Sequence, residues 1–226
     1  NFFELSLLNE IAKSHKKIVN ILLRITPGIE CHTHEYIQTG HLDSKFGFDL
    51  TQIDDAVELI VNDYTNLKLH GLHAHIGSQI FEKSIYGDEI EILVKEIARL
   101  DEKFGLKLDE INIGGGLGVK YVEADYPPST YEVAEIVIKR LYECIEKYKI
   151  DAPALFIEPG RSIISTSGVT LYTLGSSKQV PKGKIYFAVD GGMADNARPS
   201  MYQAEYDAQI ANKPDYELAQ TVTVAG

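Results

Sequence analysis

Stretches with apolar residues three and four apart repeatedly give way to short, unbroken apolar runs, and this alternation constrains the fold more than any other feature of the chain. Phe3, Leu7, Leu8 and Ile11 recur at helical spacing, and Lys17 to Ile25 then reads as a buried strand. Ile53, Ala56, Val57, Ile60 and Val61 predict a second helix, followed by a strand at 67–76. Tyr86, Ile90, Leu93, Val94, Ile97 and Leu100 predict a third helix, followed by a strand at 109–113. The fourth helix opens on a capping box, Ser129 with Glu132, and carries Ala134, Val137, Ile138, Leu141 and Ile145 on one face before a strand at Ala154 to Ile157. Continuous apolar strands alternating with amphipathic helices imply a parallel sheet covered by helices. Two α/β architectures fit, a doubly wound sheet and a (β/α)8 TIM barrel. About four strand–helix units precede residue 166, where a barrel has eight in roughly 250 residues, so the chain holds part of a barrel if it is one.

After Ser165 the texture changes. Thr170 to Leu174, Lys184 to Val189 and Ala219 to Val224 read as strands separated by Gly and Pro turns, so a second, mainly β region begins here and reads as unfinished. The chain opens at Asn1 directly in helical spacing and closes at Gly226 directly after a strand-like run, which predicts a sequence truncated at both ends.

Composition narrows the function classes. With 44% hydrophobic and 24% charged residues the 226-residue chain can bury an ordinary core. A formal net charge of −11 argues against a nucleic-acid partner and against an anionic membrane surface, so any bound phosphate needs a local nest. Cys31 and Cys144 are far apart, and Cys144 sits in an apolar helical pattern as a small core residue. Their spacing fits neither a disulfide framework nor a zinc site, and no apolar stretch is long enough to span a bilayer. The expectation is a soluble, cytoplasmic protein without a metal.

Four motifs carry polar chemistry at strand ends. In Gly71-Leu72-His73-Ala74-His75-Ile76-Gly77-Ser78-Gln79, strand alternation points His73 and His75 the same way, and the break at Gly77 leaves Ser78 and Gln79 at the carboxyl end. The plain alternative is a pair of hydrogen-bonded interior histidines. Asn112-Ile113-Gly114-Gly115-Gly116-Leu117-Gly118 lacks the spacing of a dinucleotide fingerprint or a P-loop, but its glycines let backbone N–H groups converge on an anion. A flexible turn is the plain reading there. In Glu158-Pro159-Gly160-Arg161 an acid and a fork-shaped base flank a rigid turn, fit either for two groups of one ligand or for a loop salt bridge. Asp190 to Tyr202 has turn glycines plus Arg198 and Tyr202, which suit a polar substrate end or an ordinary surface loop. Cys31-His32-Thr33-His34 has no matching second half for a metal, and Lys45, in Thr39 to Gly47, reads as a loop lysine.

Taken in order, Ser44-Lys45-Phe46-Gly47, His73 to Gln79, Gly114 to Gly116, Glu158 to Arg161 and Asp195 to Tyr202 closely resemble the diaminopimelate decarboxylases, pyridoxal-phosphate enzymes of the alanine-racemase-like fold type. The resemblance covers nearly the whole chain. It implies a partial (β/α)8 barrel at 1–165 and the start of a β-rich C-terminal domain at 166–226. It further implies pyridoxal 5'-phosphate as cofactor, with His75 stacked on the ring and Glu158 at the ring nitrogen as the catalytic pair. Ser78, Gly114, Gly115, Gly116, Pro159, Gly160 and Arg161 complete the implied cofactor site. Arg161, Arg198 and Tyr202 are the implied substrate contacts. The implied reaction is loss of the D-centre carboxylate of meso-diaminopimelate to give L-lysine, in a homodimer with shared active sites. The family's Schiff-base lysine precedes the segment that begins at Asn1, and its Cys-Glu-Ser segment and a later Tyr follow Gly226. The fragment alone is therefore expected to be inactive and, with open sheet edges, prone to instability. A decarboxylase of arginine, ornithine or carboxynorspermidine, and a non-catalytic relative, are the alternatives.

Overall fold

The computed structural model describes residues 1–29, 44–213, 215 and 220–226, so Cys31 to His34 and the segment Thr39 to Asp43 lie outside the described residues. Two compact units emerge, one comprising Asn1–Val119 with Tyr126–Ile163 and the other Lys120–Asp125 with Ile164–Gly226.

The first unit is built on a parallel sheet. Helix α1 (Phe2–Ser14) leads into β1 (Val19–Thr26), the two-residue β2 (Phe48–Asp49), α2 (Ile53–Asn62) and β3 (Leu67–His73). Then follow α3 (Ser84–Phe104), β4 (Glu110–Asn112), α4 (Thr130–Tyr148), β5 (Ala154–Phe156) and the short α5 (Gly160–Ile164). The sheet order is β2-β1-β3-β4-β5, every pairing parallel. From β1 onward through β3, β4 and β5 each strand lies beside its successor. The two-residue β2 lies on the far side of β1, an order that doubly wound sheets share, and the mark of a barrel wall is that helices cover only one face of the sheet.

The two faces of the wall differ. Leu23, Ile25, Leu72 and Ile111 are buried to 2% exposure or less and join Ile53, Val57, Ile90, Leu93, Ile97 and Leu100 in one core under the helices. Each such side chain contributes about 1.5–3 kcal/mol of burial. On the other face Asn20, Lys68 and Ala154 are exposed and Phe156 is 44% exposed. One polar row crosses this open face in register, with Arg24 beside His73, His73 beside Asn112 and Asn112 beside Phe156.

Local chemistry explains the helix limits. In α4, Ser129 Oγ accepts from the Glu132 N–H, and the Glu132 carboxylate accepts from the Ser129 N–H and hydroxyl, the capping box read from sequence. Helix α3 stops at Gly105, whose φ of +67° gives the left-handed cap. Arg99 and Lys103 of α3 pair with Asp54 of α2, and Arg140 and Lys147 of α4 pair with Glu91 of α3. Two helix faces depart from the expected stripes. In α4 the buried positions are Val133, Val137, Leu141 and Cys144, whereas Ala134 and Ile138 are exposed. In α1, Leu5 and Ala12 are buried whereas Phe3, Leu7 and Ile11 are exposed. Both helices carry apolar residues on adjacent stripes, and contact with the sheet selects the one nearer to it.

The second unit holds a three-stranded sheet in the order β6 (Leu174–Gln179), β7 (Ile185–Val189), β8 (Thr223–Ala225), and α6 (Arg198–Tyr202) precedes β8 in the chain. β6 and β7 are antiparallel, and β7 and β8 are parallel. The strand expected at Thr170 to Leu174 begins only at Leu174 and runs on through the polar Ser176, Ser177 and Lys178. Ladder pairing to β7 positions it there, although its own side chains are all exposed.

Candidate active site

The carboxyl ends of β3, β4 and β5 each run into a loop, and these three loops bring together most of the polar residues singled out in the first unit. Backbone pairing of β3 ends at His73, short of the expected Ile76, yet the alternation of side chains continues. Ala74 and Ile76 are fully buried, and His73 and His75 are half-buried on the opposite side.

Packing of the β4 loop against its neighbours needs glycine. A Cβ on Gly114 would lie 2.7 Å from the Ala74 carbonyl oxygen and 2.8 Å from His75 Nδ1. On Gly115 it would fall 2.2 Å from the Glu158 carbonyl oxygen, and on Gly116 it would fall 2.2 Å from that of Gly77. Gly114 and Gly116 also take left-handed φ values of +62° and +90°. Two of the N–H groups in the run are used within the site. Gly114 donates to Asn112 Oδ1 at 2.8 Å and Gly115 to His75 Nδ1 at 3.1 Å. The second bond makes Nδ1 an acceptor, so the neutral imidazole carries its proton on Nε2. The Gly115 carbonyl in turn accepts from the Tyr86 hydroxyl at 3.2 Å.

Glu158 faces this row. Its Oε1 accepts from the Asn112 side-chain amide at 2.9 Å and lies 3.5 Å from His73 Nε2, a buried atom without a hydrogen bond. Burial is the main cause holding the imidazoles of His73 and His75 below the ordinary histidine pKa; the Arg24 guanidinium pushes the same way and Glu158 opposes it. Burial likewise lowers Arg24, again opposed by Glu158. The Glu158 N–H donates to the Gly114 carbonyl at 2.6 Å, and the Gly160 N–H closes the Pro159 turn onto the Glu158 carbonyl at 2.9 Å. Arg161, at the start of α5, directs Nη1 to Gln79 Oε1 at 3.4 Å. Ser78 is half-buried in the loop after β3. The acid and base of the Glu158–Arg161 motif therefore address different neighbours, Asn112 and Gln79.

Arg198 and Tyr202 belong to the second unit. There Arg198 Nη1 donates to the Tyr121 hydroxyl at 2.8 Å, and its guanidinium lies over the rings of Tyr121 and Tyr206, at 4.8 and 5.9 Å from their centroids. Lys45 is exposed, with its ammonium 5.1 Å from the Phe46 ring centroid. At the amino end of β4, His70, Asp109 and Glu110 form a group of metal-ligand composition among the described residues, in which His70 Nδ1 is hydrogen-bonded to Asp109 Oδ1 at 2.8 Å. Sequence reading gave no part to Arg24 or to the Asn112 side chain, and it placed Gln79 at the carboxyl end of its strand without a role. The signal for Arg24 was a single cation inside an apolar strand; Asn112 and Gln79 act through loops 40 or more residues away in the chain.

Residues 1–165 match the family model described as "Pyridoxal-dependent decarboxylase, pyridoxal binding domain". The chain belongs to the pyridoxal-dependent decarboxylase family. Within that family it is 48% identical over 226 residues to the diaminopimelate decarboxylase of Synechocystis sp., covering all of this chain and 48% of that protein. It is 43% identical over 228 residues to the Bacillus subtilis diaminopimelate decarboxylase, covering all of this chain and 52% of that one. The crystal structure of the Helicobacter pylori diaminopimelate decarboxylase complexed with L-lysine superposes with a TM-score of 0.79 at 29% identity, over 93% of this chain and 50% of the other. The chain thus spans about half the length of the relatives it matches. Its parallel sheet and helices correspond to the N-terminal barrel domain of pyridoxal-dependent decarboxylases, and a small mixed sheet follows.

Proposed function

We propose that the protein to which this chain belongs decarboxylates meso-2,6-diaminopimelate to L-lysine and carbon dioxide with pyridoxal 5'-phosphate. The observation that carries this reading is the convergence of His75, the Gly114–Gly116 loop, Glu158 and Arg161 on the carboxyl ends of three adjacent strands. The donor set fits the cofactor: a flat imidazole, a carboxylate with Oε1 held by an amide, a loop too tight for any Cβ, and a guanidinium. When bound, the cofactor would supply an electron sink for the C–C bond pair left on the α-carbon as carbon dioxide departs.

The chain's own residues would orient it. His75 presents the face of a neutral ring held by the Gly115 N–H. Glu158, steadied by Asn112, holds a proton at the pyridine nitrogen. Ser78, the Gly116 backbone and Arg161 bind the phosphate, with Gly114, Gly115, Pro159 and Gly160 shaping the loops around it. Arg198 and Tyr202 bind the substrate's distal carboxylate and amine. With this reading go a pyridoxal-phosphate domain over 1–165, a β-rich domain beginning at 166, a cytoplasmic location and a homodimer with shared sites. The names of the relatives support the substrate, and the net charge of −11 supports a partner other than nucleic acid. The test is carbon dioxide release from meso-diaminopimelate, ornithine and arginine, each with and without added cofactor. Release from diaminopimelate alone is expected. Release from ornithine or arginine instead, or cofactor-independent release, overturns the proposal.

A further inference from the structure

We propose that Gln79 is a positioning residue that clasps the β3 and β4 loops together and sets Arg161 for an anionic ligand group; the inference rests on the cofactor reading above. Gln79 holds a left-handed φ of +61°, a conformation disfavoured for any residue with a Cβ. Its side chain explains why it is held there. Nε2 donates to the Val119 carbonyl at 2.7 Å, and Oε1 accepts from the Val119 N–H at 3.1 Å. The two bonds close a ring in which the amide can face only one way, since a flip would set donor against donor.

That fixed orientation has a consequence for Arg161. The second lone pair of Oε1 meets Arg161 Nη1 at 3.4 Å. Meanwhile Ile80 N–H donates to the Gly116 carbonyl at 3.0 Å and Gly118 N–H to the Ile80 carbonyl at 3.1 Å, so the β3 and β4 loops run side by side as a short parallel ladder. Gln79 locks the end of this ladder and ties it to the start of α5. One neutral side chain therefore joins the two loops that carry Ser78 and Gly116 to the first turn of α5 that carries Arg161, without adding charge that would oppose an anion.

A staple with no further role would, when removed, weaken every ligand of the site equally. A positioning residue for the anion end weakens phosphate-bearing ligands selectively. The experiment measures equilibrium affinities of the whole protein for pyridoxal 5'-phosphate and for pyridoxal, by cofactor absorbance or fluorescence, in wild type, Gln79→Ala, Arg161→Ala and the double variant. Gln79→Ala is expected to lose about tenfold in pyridoxal 5'-phosphate affinity with pyridoxal affinity changed less than about twofold. The double variant is expected to lose little beyond Arg161→Ala. If Gln79→Ala does not fold, the near-isosteric Gln79→Glu, which loses the Nε2 donor and adds a negative charge, is expected to show the same selective loss. Equal losses for both ligands, or fully additive effects of the two alanine variants, overturn the inference. A wild-type protein that binds neither ligand overturns the cofactor reading instead.

Discussion

The two units are stabilised in different ways. In the first, helices and sheet enclose a continuous aliphatic core in which Ile53, Leu72, Ile90, Leu93 and Ile111 have no measurable exposure. In the second, no described residue is buried, and the ladder β6-β7-β8 is held by backbone pairing with side chains at best half-covered. Hydrogen bonds exchanged with water contribute little net stability, whereas burial contributes much. Within this stretch, about half the length of its relatives, the first unit therefore carries the stability and the second adds little. The residues that converge into one polar constellation lie on the stable unit, where rigid strand ends fix their geometry.

This contrast is open to attack at several magnitudes. Hydrogen exchange gives the largest effect: amides of Ile90 to Leu100 and of Leu72 and Ile111 are expected to exchange slower than those of Tyr186 to Val189 by about three orders of magnitude or more. Comparable protection in both units would break the comparison. Next, Leu93→Ala is expected to cost about 3–4 kcal/mol in chemical denaturation, and Phe187→Ala on the half-covered β7 about 1 kcal/mol. Equal costs would mean that the second sheet has a core of its own.

Glu89 sharpens the picture, because it is a flaw inside the stable unit. Its carboxylate is fully buried on α3 with both oxygens lacking a hydrogen bond, and burial raises its pKa well above the ordinary 4.5. In the unfolded chain the group ionises near its ordinary value, while the folded state retains the proton. Its contribution to stability is therefore fully present below pH 4.5 and is lost as pH rises through the raised folded value. Glu89→Gln is expected to stabilise the protein by about 1–3 kcal/mol near neutral pH, with the gain vanishing towards pH 4 in thermal melts. A pH-independent difference would show that another group compensates the charge. The smallest effect belongs to the surface: Lys83→Ala, which removes the ion pair to Glu132, is expected to change the denaturation midpoint least of these variants, and 1 M salt to remove most of that change.

What could be read in advance follows the same division. Strand and helix succession in the first unit was legible because burial imposes period on sequence, as in Ile90, Leu93, Val94, Ile97 and Leu100. The capping box of Ser129 and Glu132 was legible because its chemistry is local. Which stripe of α1 meets the sheet was not, since Leu5 and Ala12 compete with an equally periodic Phe3, Leu7 and Ile11. The offset of β6 was hidden because pairing to β7, rather than any side-chain pattern, decides it. Within the site, the motifs themselves were visible from residue type and order. Their wiring was not: the bonds from Asn112 to Glu158 and from Gln79 to Val119 join loops that only the sheet brings together.

The hydrogen bond from the Gly115 N–H to His75 Nδ1 has a consequence for ligand entry. The imidazole loses its torsional freedom on folding, before any ligand arrives, and its tautomer is chosen at the same time. Binding a flat ring against it then orders nothing further in that side chain, so the contact forms without the entropic penalty that a mobile aromatic group would impose. The site meets its guest with one wall already standing.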